Sequence, residues 1–441
     1  MWVPAVTGGI SRRHFLRHLA GFSMMAGPSM AFVQRLIAAA PQMKRDRKSL
    51  IILWMGGGPS HMDLFDMKPD SPNGGAFKPM KTTVPGIEIC EHLPTLASQA
   101  KHLAIVRSLV TNEGSHERGT YLLHTGYPQN PAIDFPSIGS IVNHQLTPKE
   151  LAIPGFISIG RPAEGPGFLG MAYAPFTVQN PGQPPQNISP PSELGSDWQL
   201  RERLERRKAM FRLVETRFVE ESRGEAAKSH LEVYRKAFDL TDSQLKLVFD
   251  VRKENNGQDV NPRLAEEYGR DSFGQGCLLA RKLVEAGVSC VEVNLGGWDM
   301  HNNIFSSLHN NNRGGNADRL DKGFGTLLKD LSSRGLLDST VILWMGEFGR
   351  TPRINQNGGR DHWARCWSVV LAGGGIKGGQ VYGSTDADGT SVKDDPCSIG
   401  DVFATVYQAL GINPDTDIRD PLGRPRKITG EKGGTPLKGL V

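Results

Sequence analysis

Short apolar runs, separated by glycine-rich or helix-forming stretches, dominate the hydrophobic pattern of this chain. The runs at 340–345 and 367–372 are too short for helices and are rich in β-forming residues. Similar runs occur at 49–55, 103–106 and 288–295. Because they are continuously apolar rather than alternating, they predict strands buried on both faces of a sheet.

Segments with helical periodicity lie between these runs, at 93–100, 274–286 and 320–331, and after the last of them, at 399–410. Strand–helix–strand repetition predicts an α/β fold, with a mostly parallel central sheet and helices on both faces. A length of 441 residues allows two or three average domains or one large domain. We interpret residues 42–441 as one α/β domain.

Residues 197–255 differ sharply in composition. Charged residues dominate, glycine nearly disappears, and Leu200, Leu204, Met210 and Leu213 recur at helical spacing. This pattern predicts two or three amphipathic helices inserted into the α/β domain. Glu and Asp are interspersed throughout, and the net charge is only +5, so a nucleic-acid partner is not indicated.

The N-terminal segment 1–41 has the features of an export leader. The run SRRHFLR at 11–17 matches the twin-arginine pattern, and a moderately apolar stretch ending in AAA at 38–40 follows. The alternative is an ordinary basic amphipathic helix. Elsewhere no run approaches the roughly 20 apolar residues of a membrane span. We therefore predict a periplasmic or extracellular protein without a stable membrane span in the mature chain.

Carboxylates and histidines follow three of the predicted strands, where parallel strands bring their carboxyl ends to one edge of a sheet. Such repetition favours a site with one or two divalent metals, although each histidine alone could be a hydrogen-bonded loop residue. Mixed oxygen and nitrogen ligands suit Zn, Mn or Fe, and more oxygen would suit Ca or Mg. The candidate ligands are His61, Asp63, His116, Asp299, His301, Glu347, Asp361 and His362.

Three further residues are candidates for catalysis. Arg118 and Arg350 could bind a tetrahedral anion through two hydrogen bonds each, or could form salt bridges with Glu117 and Glu347. Ser115 precedes a predicted short helix, where it could be a nucleophile or simply the helix N-cap. The five cysteines lack CxxC spacing, so a zinc knot or a disulfide framework is not indicated, while one or two bridges remain open.

Several motifs together resemble the domain-of-unknown-function 1501 family, which consists of exported bacterial proteins assigned to the alkaline phosphatase/sulfatase superfamily. The motifs are WMGGGPSHMDLFD, SHERGTYLLHTGYP, GGWDMHNN, MGEFGRTP and GRDHWARCWSVVLAGGG. The resemblance extends over essentially the whole mature chain and implies an alkaline-phosphatase-like fold.

The superfamily resemblance also implies roles for individual residues. The run LLHTGYP at 122–128 resembles a sulfatase motif whose nucleophile, about nine residues earlier, falls on His116 or, with one gap, on Ser115. The sulfatase motif CxPSR is absent. Asp299 and His301 resemble a metal-binding pair, and Glu347 stands at the position of a superfamily Asp. The last superfamily histidine corresponds to His362.

These observations lead to two functional expectations. The first is an exported, metal-dependent hydrolase of phosphate or sulfate esters, acting on a small-molecule or glycan anionic ester. The alternative is a non-catalytic binding or scaffold protein on the same fold that recognises anionic glycans or other ligands.

Overall fold

The computed structural model describes residues 47–149, 151–183, 185, 197–220, 248–311 and 314–441. Its centre is an eight-stranded sheet. The strands in spatial order are β12 (Gln380–Tyr382), β4 (Leu103–Leu109), β11 (Trp367–Ala372), β8 (Thr340–Met345), β1 (Ser49–Trp54), β7 (Cys290–Asn294), β5 (Phe156–Ile159) and β6 (Phe176–Val178).

The direction of the strands determines where the loops lie. β11 is antiparallel to both β4 and β8, while every other neighbouring pair in the sheet is parallel. The amino end of β11 therefore lies at the edge where its neighbours have their carboxyl ends. The predicted α/β fold with a mostly parallel sheet is confirmed.

Helices cover both faces of this sheet. One face carries α1 (Pro94–Ser98), α5 (Pro262–Tyr268), α6 (Ser272–Glu285), α7 (Ile304–Leu308) and α8 (Asn316–Ser333). The other carries α2 (His116–Thr125), α3 (Ile138–Leu146) and α9 (Ile399–Leu410).

Strand β1 shows why its sequence is continuously apolar. Ile51 and Leu53 belong to one core cluster, and Leu50, Ile52 and Trp54 belong to the other. Since helices cover both faces of the sheet at this strand, none of its side chains faces solvent.

In the described part of the chain, four two-stranded antiparallel ribbons lie outside the main sheet. They pair β2 (Pro79–Lys81) with β3 (Glu88–Cys90), β9 (Gly349–Arg350) with β10 (His362–Trp363), β13 (Ser384–Thr385) with β14 (Val392–Asp394), and β15 (Asp417–Arg419) with β16 (Pro425–Lys427).

The predicted helical insertion is described only in part. Helix α4 (Asp197–Glu220) occupies its first portion, and residues 221–247 lie outside the described residues, as does the predicted leader 1–41. Residues 250–255 form turns and an isolated bridge rather than a helix, and Val248, Phe249 and Val251 are buried in the core.

All five cysteines are free and buried, so the bridges that the sequence left open do not form. Among the described helices, none combines the length and apolar character needed to cross a bilayer.

Candidate metal centre

Four segments meet at the carboxyl edge of the sheet. The loop after β7 provides Asp299 and His301, the loop after β8 provides Glu347, and the start of helix α2 provides His116. His362 lies in ribbon strand β10, which precedes β11. It reaches the same edge because β11 is antiparallel to its neighbours β4 and β8.

The hydrogen bonds of two histidines define their tautomers. His301 Nδ1 lies 2.7 Å from Asp361 Oδ1, and His362 Nδ1 lies 2.8 Å from the carbonyl oxygen of Gly114. Carbonyl and ionised carboxylate oxygens only accept, so each Nδ1 donates and each Nε2 of the neutral ring keeps a lone pair. These two Nε2 atoms lie 3.1 Å apart.

His116 follows the same pattern. Its Nδ1 lies 2.6 Å from Glu347 Oε1, which also accepts the backbone N–H of Gly57 at 2.8 Å. His116 Nε2 is buried without a hydrogen-bond partner. In each of the three histidines, a carboxylate or carbonyl therefore holds Nδ1 and directs Nε2 towards Asp299 as a candidate metal ligand. Arg350 Nη1 also lies 3.5 Å from His301 Nε2.

Asp299 Oδ1 lies where the three imidazoles converge. It is 3.3 Å from His116 Nε2, 2.9 Å from His301 Nε2 and 3.2 Å from His362 Nε2. Ligand atoms about 2.0–2.1 Å from a tetrahedral zinc are themselves roughly 3.3 Å apart, which is close to the distance of Asp299 Oδ1 from each Nε2.

The alternative to a metal is a network of hydrogen bonds and ion pairs among these side chains alone. Each ring, however, already has a partner for Nδ1, and all three Nε2 atoms are directed at the same oxygen of Asp299. The donor set therefore fits a cation. His116, Asp299 and His362 alone already form a compact group capable of holding an ion.

Arg350 is buried and positions Asp299. Its Nη2 donates to Asp299 Oδ1 at 2.6 Å and to the carbonyl of Gly57, its Nε donates to Gly58 O at 2.9 Å, and its Nη1 donates to Arg360 O at 3.1 Å. Burial opposes ionisation of Asp299, but the hydrogen bond and charge of Arg350 hold the pKa of Asp299 well below its ordinary value. Arg350 is thus already engaged within the protein and is not free to bind an anion.

Two predicted ligands lie apart from this cluster. Arg360 Nε and Nη2 bind Asp63 Oδ2 and Oδ1 at 2.7 and 3.0 Å, and Ser60 Oγ donates to Asp63 Oδ2 at 2.6 Å. His61 is buried, with Nε2 donating to the carbonyl of Gly389 at 3.0 Å. The structure therefore does not place Asp63 or His61 at the metal centre.

The glycine loop after β1 explains their displacement. Gly57 has φ +113°, and a Cβ there would lie 2.4 Å from the backbone nitrogen of Asp299. Gly58 also has a positive φ, of +80°. These conformations, which favour glycine, bring the loop backbone against the cluster and turn the following side chains away.

Asp361 supports His301 rather than lying among the converging nitrogens. Its Oδ1 also accepts a hydrogen bond from Asn355 Nδ2 at 3.2 Å, and the hydrogen bond with His301 is the main cause that lowers the pKa of Asp361. Asn355 and the Gly114 carbonyl were not predicted. A backbone carbonyl has no signal in the sequence, and Asn355 lies in a turn of ordinary composition.

Of the remaining candidates, Ser115 is the N-cap residue of α2, but its side chain makes no capping hydrogen bond. Arg118 is exposed and its Nε donates to Glu113 Oε2 at 3.0 Å, rather than pairing with Glu117. An exposed ion pair of this kind contributes little to stability.

The fold and this cluster define an α/β protein with a candidate nitrogen-rich metal centre at the carboxyl edge of its sheet. The chain belongs to the family described as Protein of unknown function (DUF1501), whose model matches residues 47–441. The predicted family resemblance is confirmed. No functionally curated protein matches this sequence.

This chain is similar to solved structures of proteins from several bacteria. The PsFucS1 sulfatase from Pseudoalteromonas sp. is 16% identical, with 86% of this chain and 72% of that chain covered and a TM-score of 0.34. The lipoteichoic acid synthase LtaP from Listeria monocytogenes is 8% identical, with 88% and 76% covered and a TM-score of 0.35. For the phosphonate monoester hydrolase SpPMH from Silicibacter pomeroyi the identity is 11%, the coverage 85% and 76%, and the TM-score 0.29. Similarity at this level does not define an activity.

Proposed function

We propose that this protein is a metal-dependent hydrolase of phosphate or sulfate esters of small molecules or glycans. The observation that carries the proposal is the convergence of three imidazole Nε2 atoms on one oxygen of Asp299, at 2.9–3.3 Å. Three nitrogens and one carboxylate favour Zn, Mn or Fe over Ca or Mg, which prefer oxygen ligands.

In this proposal His116, Asp299, His301 and His362 hold the ion. A divalent metal in such a set acts as a Lewis acid that polarises a phosphoryl or sulfuryl oxygen. Glu347 and Asp361 accept the Nδ1 protons of the neighbouring histidines. They thereby keep the ligand tautomer and raise the basicity of the imidazoles.

Metal analysis tests the proposal directly. Protein purified without chelator should contain about one divalent transition metal per chain and should hydrolyse p-nitrophenyl phosphate or p-nitrophenyl sulfate. A chelator should abolish the turnover, and the metal should restore it. Protein that contains no metal and cannot be loaded with one would contradict the proposal.

A non-catalytic binding protein on the same fold is the second candidate. One observation favours it: none of the described side chains accepts a hydrogen bond from the Ser115 hydroxyl, so no base is positioned to activate it. Bound metal without turnover on a broad panel of phosphate and sulfate esters would support this second function.

Ser115→Ala tests whether this hydroxyl is the nucleophile. Metal coordination can activate a hydroxyl without a neighbouring base, and Ser115 directly precedes the proposed ligand His116. We expect the variant to keep its metal and lose about a hundredfold or more in kcat on p-nitrophenyl phosphate. Unchanged kcat would exclude Ser115 as the nucleophile.

Export by the twin-arginine route is a further part of the proposal, supported by the run SRRHFLR at 11–17. We expect replacement of Arg12 and Arg13 by lysine to retain the protein in the cytoplasm when cell fractions are compared. The matched control is replacement of Arg17 by lysine, which leaves the arginine pair intact. Equal export of all three proteins would contradict this route.

A further inference from the structure

Both arginines predicted to bind an anion are occupied within the protein. Arg118 pairs with Glu113 on the surface, and Arg350 is buried against backbone carbonyls and Asp299. An anionic ester would therefore need another cation at this edge of the sheet. The loop after β5 carries one.

Arg161 is an exposed arginine whose guanidinium makes no ion pair or hydrogen bond with any other residue in the described part of the chain. Its backbone is fixed, because Ser158 Oγ donates to the Arg161 carbonyl. The preceding Gly160 has φ +95° and donates its N–H to Val178 O at 2.9 Å. The side chain thus leaves an ordered turn at the carboxyl edge.

The guanidinium of Arg161 lies over Gly56, in the glycine loop that contacts the metal centre. The point that a Cβ on Gly56 would occupy is 3.5 Å from Arg161 Nη1, 3.6 Å from Trp54 Nε1 and 3.7 Å from Asn294 Oδ1. Because Gly56 has no side chain, this point stays open. We refer to the space bounded by these three side chains as the Gly56 cradle.

The chemistry of the Gly56 cradle suits an oxyanion. Guanidinium and indole N–H groups are donors only, and the amide of Asn294 can turn its NH2 group towards an anion. The next residue, Gly57, donates its N–H to Glu347 Oε1, the atom that holds His116. The cradle is therefore adjacent to the proposed ligand loop.

We propose that the Gly56 cradle binds the tetrahedral oxyanion of the substrate, with Arg161 as its specificity-determining residue. This inference rests on the proposed ester hydrolase function, and it replaces Arg118 and Arg350 in the anion-binding role. Bidentate hydrogen bonding by a guanidinium matches the geometry of phosphate and sulfate oxygens.

Three variants test the cradle with inorganic phosphate as the probe. Calorimetry measures the Kd of phosphate in the presence and in the absence of a chelator. We expect Arg161→Ala to weaken phosphate binding about tenfold or more, since hydrogen bonds to charged groups are strong, and Arg161→Lys to lose less. Gly56→Ala should weaken binding similarly by filling the cradle. The added Cβ would make only ordinary van der Waals contacts, and Gly56 does not have a positive φ. We therefore expect this variant to fold.

Matched controls separate the cradle from general effects. Arg270→Ala removes another exposed arginine, which follows helix α5 and pairs with Glu266, and Gly165→Ala adds a Cβ in open space. Both should bind phosphate as the wild type does. Wild-type affinity in Arg161→Ala and Gly56→Ala, or no phosphate binding by the wild type, would overturn the inference. Metal content measured on the same samples reports separately on the proposed function.

Discussion

His301→Ala is expected to yield a folded protein that no longer retains a divalent metal and no longer hydrolyses p-nitrophenyl phosphate. His301 Nε2 lies 2.9 Å from Asp299 Oδ1 and 3.1 Å from His362 Nε2, so its removal opens one side of the donor set. Loss of a direct ligand should exceed the 10–100-fold cost of losing an outer hydrogen-bond partner, about a hundredfold or more in metal affinity. Competition with a chromogenic chelator measures this affinity.

Two further variants show whether the effect of His301→Ala is specific to the loss of a ligand. Asp361→Asn weakens the partner of His301 Nδ1 without removing a ligand, and should lower metal affinity by about 10–100-fold. His144→Ala removes an exposed histidine from the end of α3 and should leave metal and activity unchanged. If His301→Ala bound the metal as tightly as the wild type, His301 would not be a ligand.

Asp63→Ala is expected to lower the free energy of unfolding by about 3–5 kcal/mol, because it leaves a buried arginine without its carboxylate. The Arg360 side chain is 0% exposed and the Asp63 side chain 1%, and the pair is bidentate at 2.7 and 3.0 Å. Urea denaturation followed by circular dichroism measures the change. The metal-free protein should be used, because a ligand that binds the native state raises apparent stability.

The same variant distinguishes the two roles proposed for Asp63. Glu266→Ala, which breaks an exposed ion pair with Arg270, is the matched control and should change stability little. A folded Asp63→Ala protein should still bind metal, since its carboxylate lies outside the centre. Unchanged stability together with lost metal would make Asp63 a ligand and contradict the ion-pair role.

Much of the fold could be predicted because the central strands carry strong patterns. The runs at 340–345 and 367–372 coincide with β8 and β11. Strands β5, β6 and β12 were not predicted, because they have only three or four residues and lie among glycine- and proline-rich loops. The reversed direction of β11 was also not predicted, since the apolar pattern of a strand is the same in either direction.

The sequence predicted which residues form the candidate site better than it predicted what each residue does there. The rule that strand ends meet at one edge brought together Asp299, His301, Glu347 and His362. The same rule failed for His61, because positive φ angles in the preceding glycines redirect the chain. Whether a histidine is a ligand depends on what holds its Nδ1, and these partners come from distant segments.

The arrangement of the site has a consequence for how the protein folds. His116 and Glu347 touch although 231 positions separate them, and His301 and Asp361 are 60 positions apart. Closing such long loops costs entropy, and chains dominated by distant contacts fold slowly. A partly folded chain therefore holds no complete donor set. Occupancy of the centre would report that the whole chain, and not merely one half of it, has reached its native arrangement.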